Sequence, residues 1–323
     1  MTAKTEERKL AWWQYLRYGV EAAGFFLMMG FFKLIGLDAA SSVGGFLGRH
    51  VFAHLPSTKI ARENLRAAFP EKSDAWIEKT VREVWDNLGR VTGEYPHLGE
   101  FTLGDRIEGI DRENGHAAIA YGKGVMFVSG HFANWEALPI AGQLFGYDGK
   151  IVYRPPNNPF VARWIDRQRA KLGPKEQITK GPRGTRRMFT TLRHGKTVFM
   201  LVDQKTGQGI ASPFFGRDAM TTHAPATLAL RMGARLVPAG CVRTHGAHFK
   251  VQIYPALEFA PSGDMEKDVA ALTALINRTM ENLVRANPSQ WLWIHRRWPS
   301  EHDRKRLEKK HRREARQARR DAG

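Results

Sequence analysis

His131 and Glu136 stand five residues apart in Ser129-Gly130-His131-Phe132-Ala133-Asn134-Trp135-Glu136, directly after the apolar run Val125-Met126-Phe127-Val128. A neutral imidazole, with an unperturbed pKa of about 6.5, takes a proton from an alcohol when a carboxylate on its other ring nitrogen fixes the tautomer and stabilises the imidazolium. On an unbroken helix, advancing about 100° per residue, five positions would hold the two side chains well apart in angle. A turn between them is therefore expected: a strand ending at Gly130, a helix beginning near Asn134 as its cap, His131 at the mouth of the sheet and Glu136 in the first helical turn. Ser129 is the only hydroxyl beside them, and it lacks a Gly-x-Ser-x-Gly elbow. Direct attack by a substrate hydroxyl fits better than a covalent enzyme intermediate. A His and a carboxylate at this spacing also arise by chance, so a structural role is the alternative reading.

The elements that must position these residues follow from periodicity. Apolar, β-rich runs recur at residues 124–128, 150–153, 197–202, 235–242 and 249–254, with helical stretches between several of them at 134–144, 160–172, 185–194 and 225–232. Upstream, Ser57 and Ser73 can cap two helices, and a final helix is expected from about 265 to 285. No internal repeat is present. Alternation of strand and helix predicts an α/β fold, a mixed and partly parallel sheet flanked by helices, with chemistry at the carboxyl ends of the strands.

Three more groups fall at such ends. Tyr153-Arg154-Pro155-Pro156 would hold Arg154 as a phosphate or oxyanion partner; Asp203-Gln204 follows the apolar run 198–202; Gly181-Pro182-Arg183-Gly184-Thr185-Arg186-Arg187 opens a helix whose N–H groups and arginines, Arg186 among them, can receive phosphate. Each has a structural alternative: a strand cap, a loop brace and a solvated turn. Phe214-Phe215-Gly216 reads as a loop carrying apolar side chains to a pocket, to lipid or over the core. The segment 288–299 mixes Trp291, Trp293 and Trp298 with His295, Arg296 and Arg297, suiting an amphipathic interface or packing with a basic edge.

The chain has 323 residues with a formal charge of +18 and a pI near 10.2, which asks for an anionic partner. Residues 304–320 hold ten Lys or Arg against two Glu, so the tail alone carries much of the excess. The single cysteine, Cys241, excludes an intrachain disulfide and fits a reduced setting; the scattered histidines form no zinc pattern, and no metal or cofactor is inferred. Residues 22–37 are apolar apart from Lys33, with Trp12, Trp13, Tyr15 and Tyr18 just upstream. The run is short against the about 20 residues of a bilayer crossing. It predicts an N-terminal membrane-anchoring helix, as a tilted span with Lys33 snorkelling or as a segment held in one leaflet, with a buried core helix as the alternative. Glu21 and the aromatic flank argue against a cleaved signal peptide. The expected organisation is an anchor over 1–45, a catalytic domain over 46–300 and a basic tail over 301–323.

Taken together and in order, several segments resemble the bacterial lipid A biosynthesis acyltransferases, the lauroyl/myristoyl transferase family. They are Arg62-Glu63-Asn64-Leu65 with Phe69-Pro70, His131-Phe132-Ala133-Asn134-Trp135-Glu136, Tyr153-Arg154-Pro155, Asp203-Gln204, Phe214-Phe215-Gly216 with Thr221-Thr222, and Gln290 to Trp298. The resemblance implies an enzyme of the bacterial inner membrane, facing the cytoplasm, that transfers a fatty acyl group from acyl carrier protein to a hydroxyl of a lipid A precursor. It implies His131 as the base, Glu136 as the residue that orients and polarises it, Arg154 as a phosphate or oxyanion partner and Asp203, with Gln204 beside it, as support for the site; Arg186 of the helix-opening stretch is a further candidate for substrate binding. Ala133 stands where many relatives have Gly, and Lys205 where many have a second acid. Phe214 and Phe215 would line the acyl channel. The rival readings are an acyltransferase acting on another membrane acceptor, such as an aminolipid, glycolipid or lysophospholipid, and a membrane-tethered protein that binds anionic polymers. Nucleic acid is not the expected partner.

Overall fold

The computed structural model describes residues 12–299 except residue 208, so the basic tail from Arg304 lies outside the described residues. Four helices lead in: α1 (Trp12–Leu34), α2 (Leu37–His50), α3 (Ser57–Ala68) and α4 (Asp74–Glu94). They are followed by β1 (Ile107–Ile110), α5 (Arg112–Ala120), β2 (Val125–Ser129), α6 (Ala137–Leu144), β3 (Gly149–Tyr153), α7 (Pro159–Arg169), β4 (Gln177–Thr179), α8 (Pro182–Arg193) and β5 (Thr197–Leu201). A hairpin of β6 (Ile210–Phe214) and β7 (Arg217–Thr221), then α9 (Ala224–Met232), β8 (Arg235–His245), β9 (His248–Ile253) and α10 (Met265–Ala286) complete the described order.

Seven strands form one sheet in the order β1-β9-β8-β2-β5-β3-β4. β8, β2, β5, β3 and β4 run parallel, while β9 is antiparallel to β8 and carries β1 beside it. The five apolar runs of the sequence all became strands, and β2, buried at every position, lies in the middle. β1 and β4, of four and three residues, are too short for periodicity to announce. Chain order explains the layers. β3 to β4 steps towards the sheet edge and β4 to β5 steps back, so two right-handed crossovers put α7 and α8 on opposite faces. Met188 and Leu192 of α8 accordingly pack in the cluster that contains residues of α3, α4, α9 and α10, whereas α6 packs in the cluster on the other face.

α1 forms, but no described helix is long and apolar enough to cross a membrane. The expected anchoring span is corrected for a physical reason. Arg17, Glu21 and Lys33 break the apolar run, and one side of the helix is committed to the body: Ala22, Met29 and Phe32 are buried, and Phe25 meets Trp164 of α7 edge-on at 5.2 Å. Lys33 does not snorkel; its Nζ lies 2.6 Å from the Glu100 carboxylate. The expected boundary at residue 45 falls inside α2, which packs against α4 at glycines. A Cβ at Gly44 would lie 2.3 Å from the Gly89 carbonyl oxygen, and one at Gly48 would lie 2.0 Å from that of Trp85.

Phe214 and Phe215, expected in a loop, are buried in the core on the rings of Trp298, Trp291 and Phe69, at the tip of a hairpin. The Trp-Arg segment also packs inward. Trp291, Trp293 and Trp298 are buried, and the guanidinium of Arg297 donates to the Met220 carbonyl, the Thr221 hydroxyl and the Asn277 side-chain oxygen. An indole or guanidinium so enclosed contacts neither lipid nor phosphate, so the interface reading of this segment gives way to packing.

Candidate active site

The register of the central strands decides the site. Ser129 of β2 pairs with Leu201 of β5, and two residues beyond each strand end stand His131 and Asp203. Asp203 accepts the His131 Nδ1–H at 2.8 Å on Oδ1, and on Oδ2 it accepts the His131 backbone N–H and the Trp291 indole N–H, each at 2.7 Å. Burial alone would raise this carboxyl's pKa, but the imidazole charge and the three hydrogen bonds outweigh it and hold the group well below the usual carboxylate range. A carboxylate that only accepts makes Nδ1 the protonated nitrogen, so Nε2 carries the lone pair. That nitrogen has the Gln204 side-chain nitrogen at 3.2 Å. Gly130 is needed at this turn, because a Cβ there would lie 2.9 Å from Oδ2 of Asp203.

The expected pairing of His131 with Glu136 is therefore corrected. The helix starts later than Asn134: the Asn134 side chain accepts the Glu136 N–H at 3.1 Å, and Glu136 immediately precedes α6 instead of lying in its first turn. The Glu136 carboxylate, 2 % exposed, turns to Arg169 at the end of α7, which donates to both of its oxygens at 2.8 and 2.6 Å, and to the Tyr95 hydroxyl at 2.8 Å. Burial acts to raise the Glu136 pKa; the Arg169 charge and hydrogen bonds bring it below its ordinary value. Arg169 lies with its guanidinium carbon 4.8 Å from the Tyr153 ring centroid, and its remaining nitrogen, Nη1, is buried with no hydrogen-bond partner among the described residues.

His131 and Glu136 nevertheless face one cleft of ≈ 320 Å³ at the carboxyl edge of the sheet. Its apolar walls come from Phe127, Leu138, Ile151, Phe199, Met200 and Leu201, and its polar walls from His131, Glu136, Arg154, Arg169, Lys180 and Gln204. Such a shape suits a long apolar group whose reacting end meets convergent polar side chains. Arg154 and Gln204 thus share the cleft with the base, whereas Asp203 lies behind the imidazole. Arg186 is exposed on α8 and does not line it. Lys180, Arg169 and Tyr95 carry no signal in the sequence, and His295 stands out there only as part of the 288–299 segment. Lys180 follows β4, a strand too short to see; burial lowers its pKa, the nearby Asp203 opposes that and Arg154 adds to it. The Ser129 hydroxyl donates to the Ala239 carbonyl at 2.6 Å, and burial pushes the Cys241 thiol up to about 12, so neither is an activated nucleophile.

The loop is clamped from both sides. Ala133, at φ 46°, donates its N–H to the Gln290 carbonyl at 2.8 Å and accepts from the Asn87 side chain at 3.0 Å, and Leu292 donates to the His131 carbonyl at 3.1 Å. Beneath it, Glu94 is fully buried and accepts from Arg243, Ser41 and Asn134. This left-handed backbone is one that glycine adopts without strain. Ala133→Gly is expected to keep full transfer activity and to change stability by no more than about 1 kcal/mol, towards greater stability, whereas Ala133→Val loses more than that, as read by denaturant unfolding.

Residues 8–300 match the family model described as bacterial lipid A biosynthesis acyltransferase. The chain belongs to that family. It is 29 % identical over 251 residues to the lipid A biosynthesis palmitoleoyltransferase of Escherichia coli (strain K12), covering 74 % of this chain and 78 % of the relative. It is 27 % identical over 249 residues to the lipid A biosynthesis lauroyltransferase of the same strain, with the same coverage. The phosphatidylinositol mannoside acyltransferase of Mycobacterium tuberculosis (strain ATCC 25618 / H37Rv) is 32 % identical over 202 residues, 59 % of each chain. As an acyltransferase of this family, the chain fits the cleft it carries: an apolar recess ending at an imidazole.

The two carboxylates also set an acid limit. Asp203 and Glu136 both titrate below their unfolded values of about 3.9 and 4.3. The stability they add is complete above about pH 5 and is lost as pH falls through the folded values. Unfolding followed by tryptophan fluorescence should begin below about pH 4, with a shallower limb in Asp203→Asn.

Proposed function

We propose that this acyltransferase moves a fatty acyl group from an acyl carrier protein thioester to a hydroxyl of a lipid A precursor, at the cytoplasmic face of the bacterial inner membrane. The observation that carries the chemistry is the His131–Asp203 pair, with the imidazole lone pair turned to an apolar cleft. His131 Nε2 takes the acceptor's hydroxyl proton, and the freed oxygen attacks the thioester carbonyl carbon. Charge on the carbonyl oxygen is met by the cations of Arg169 and Lys180, both of which line the cleft. As the carbon–sulfur bond breaks, the imidazolium returns its proton to the departing thiolate, giving an ester and a free thiol. Glu136 holds Arg169 in place for this role. Arg154 supplies a further cation for acceptor phosphate.

Support for the membrane setting comes from α1 and α2. Trp12, Leu16, Val20, Leu27, Leu34 and Phe46 are exposed, an apolar surface suited to lying in one leaflet. Leu16→Glu with Leu27→Glu should then abolish co-flotation with anionic phospholipid vesicles, and unchanged flotation would remove this reading. The central test is transfer in detergent: acyl carrier protein thioester plus lipid A precursor should yield an acceptor heavier by one acyl chain. No product with any lipid A precursor sinks the acceptor assignment. The likeness to a phosphatidylinositol mannoside acyltransferase favours one second reading, a mannosylated lipid acceptor. Lipid extracts of a deletion strain separate the two, by loss of an acyl chain from lipid A or from a glycolipid.

A further inference from the structure

The charge of this protein is concentrated. Residues 151–205 hold 13 Lys or Arg against 3 Asp or Glu, and residues 304–320 hold ten against two; these two stretches account for the whole +18. The first stretch contains α7, β4, α8 and β5, the part of the sheet that borders the cleft. α8 has four arginines, Arg183, Arg186, Arg187 and Arg193, and no acidic residue. All four are exposed, and Gly184, Met188 and Leu192 on the other side of the helix pack inward. The helix begins two residues after Lys180, which lines the cleft. The first turn of its basic face, with Arg183 and Arg186, thus follows directly on a residue of the cleft wall.

Anionic lipid and an acidic protein would each suit such a face, and topology separates them. Most of the large exposed apolar side chains are on α1, which packs on α7 through Phe25 and Phe26 against Trp164, whereas α8 exposes one, Phe189. α8 lies across the sheet from α7, as the opposed crossovers require. Arginines there project from the opposite layer to the helix that offers most of the exposed apolar side chains, which favours a soluble anionic partner. We propose that the arginine face of α8, led by Arg183 and Arg186, is where the acidic carrier protein docks to deliver its acyl thioester past Lys180 into the cleft. The assignment rests on the carrier thioester being the donor. Complementary charge of this kind speeds encounter and fixes orientation, and it weakens as salt rises.

The test compares two donors with the same acyl chain, one on acyl carrier protein and one on free pantetheine, using the full chain and one acceptor. Wild type should have a much lower KM for the carrier thioester. Arg183→Glu/Arg186→Glu should raise that KM about tenfold or more, leave kcat within about twofold, and leave both constants for acyl-pantetheine unchanged. Raising salt should move the wild-type KM towards that of the variant. If wild type prefers the carrier and the variant keeps the wild-type KM, the α8 assignment is overturned while the donor reading stands. If wild type uses acyl-pantetheine as well as the carrier thioester, the donor reading fails and the docking surface fails with it. If the variant instead loses binding to anionic phospholipid vesicles at an unchanged carrier KM, α8 is a lipid contact and the proposal is overturned.

Discussion

Asp203→Asn is expected to lower kcat for acyl transfer by about 10² to 10⁴ with the fold intact. The carboxylate accepts three donors, two on Oδ2 from the His131 backbone and Trp291, and one on Oδ1 from the imidazole. An amide has one accepting oxygen, which the two fixed donors would claim, leaving its NH₂ against Nδ1. The imidazole must then accept at Nδ1 and carry its proton on Nε2, which faces the cleft. A base protonated at its working nitrogen cannot take a proton from the acceptor. His131→Ala should match this loss, and the double variant should cost little more than either single one, because the two groups act as a unit. Wild-type kcat in Asp203→Asn would show that the imidazole needs no carboxylate behind it. KM for both substrates should move little, since Asp203 does not itself line the cleft.

Glu136→Ala has a different expected signature. It leaves the Arg169 guanidinium, 13 % exposed, without the carboxylate that takes two of its nitrogens, and removes the acceptor of the Tyr95 hydroxyl. Breaking a buried pair by deleting one partner costs about 3–5 kcal/mol, far more than the pair contributes net, because the survivor stays charged in a poorly solvated place. Denaturant unfolding in detergent should show a loss of that size. Glu136→Ala/Arg169→Met should recover a large part of it while transfer stays low, since the Arg169 cation at the cleft is gone. A Glu136→Ala protein of wild-type stability would remove the structural half of this account, and full activity in the double variant would remove the catalytic half.

The chemistry-bearing residues were legible because their signals are local. An apolar β-rich run ending in Ser-Gly places His131 at a strand end whatever the strand's neighbours, and the same rule placed Asp203-Gln204 beyond the run that became β5. The Ser73 cap is likewise written beside the helix it bounds, whereas Ser57, the other expected cap, is the first residue of α3 and makes no capping hydrogen bond. Where the signal ran short, the reading failed. β4 has three residues, so Lys180 looked like part of a loop, and Arg169 is one of several arginines on α7 with nothing local to mark the one that turns inward. The tryptophans of the 288–299 segment were visible as a cluster, but an indole has the same type whether it meets lipid or core, and here Phe214, Phe215 and Phe69 take it up.

What the sequence by itself determined was the order of the five longer sheet strands and several of the helices between them, the α/β class and the presence of a base at a strand end. Which carboxylate serves that base was decided by tertiary structure. Strand neighbourhood in a parallel sheet is nonlocal: β5 lies beside β2 although β3 and β4 intervene in the chain. That order and its register bring Asp203 to His131 across 72 residues, while the nearer Glu136, five residues away, is drawn to Arg169 from α7. A buried carboxylate goes where a cation and hydrogen-bond donors converge, and only the folded chain brings them together.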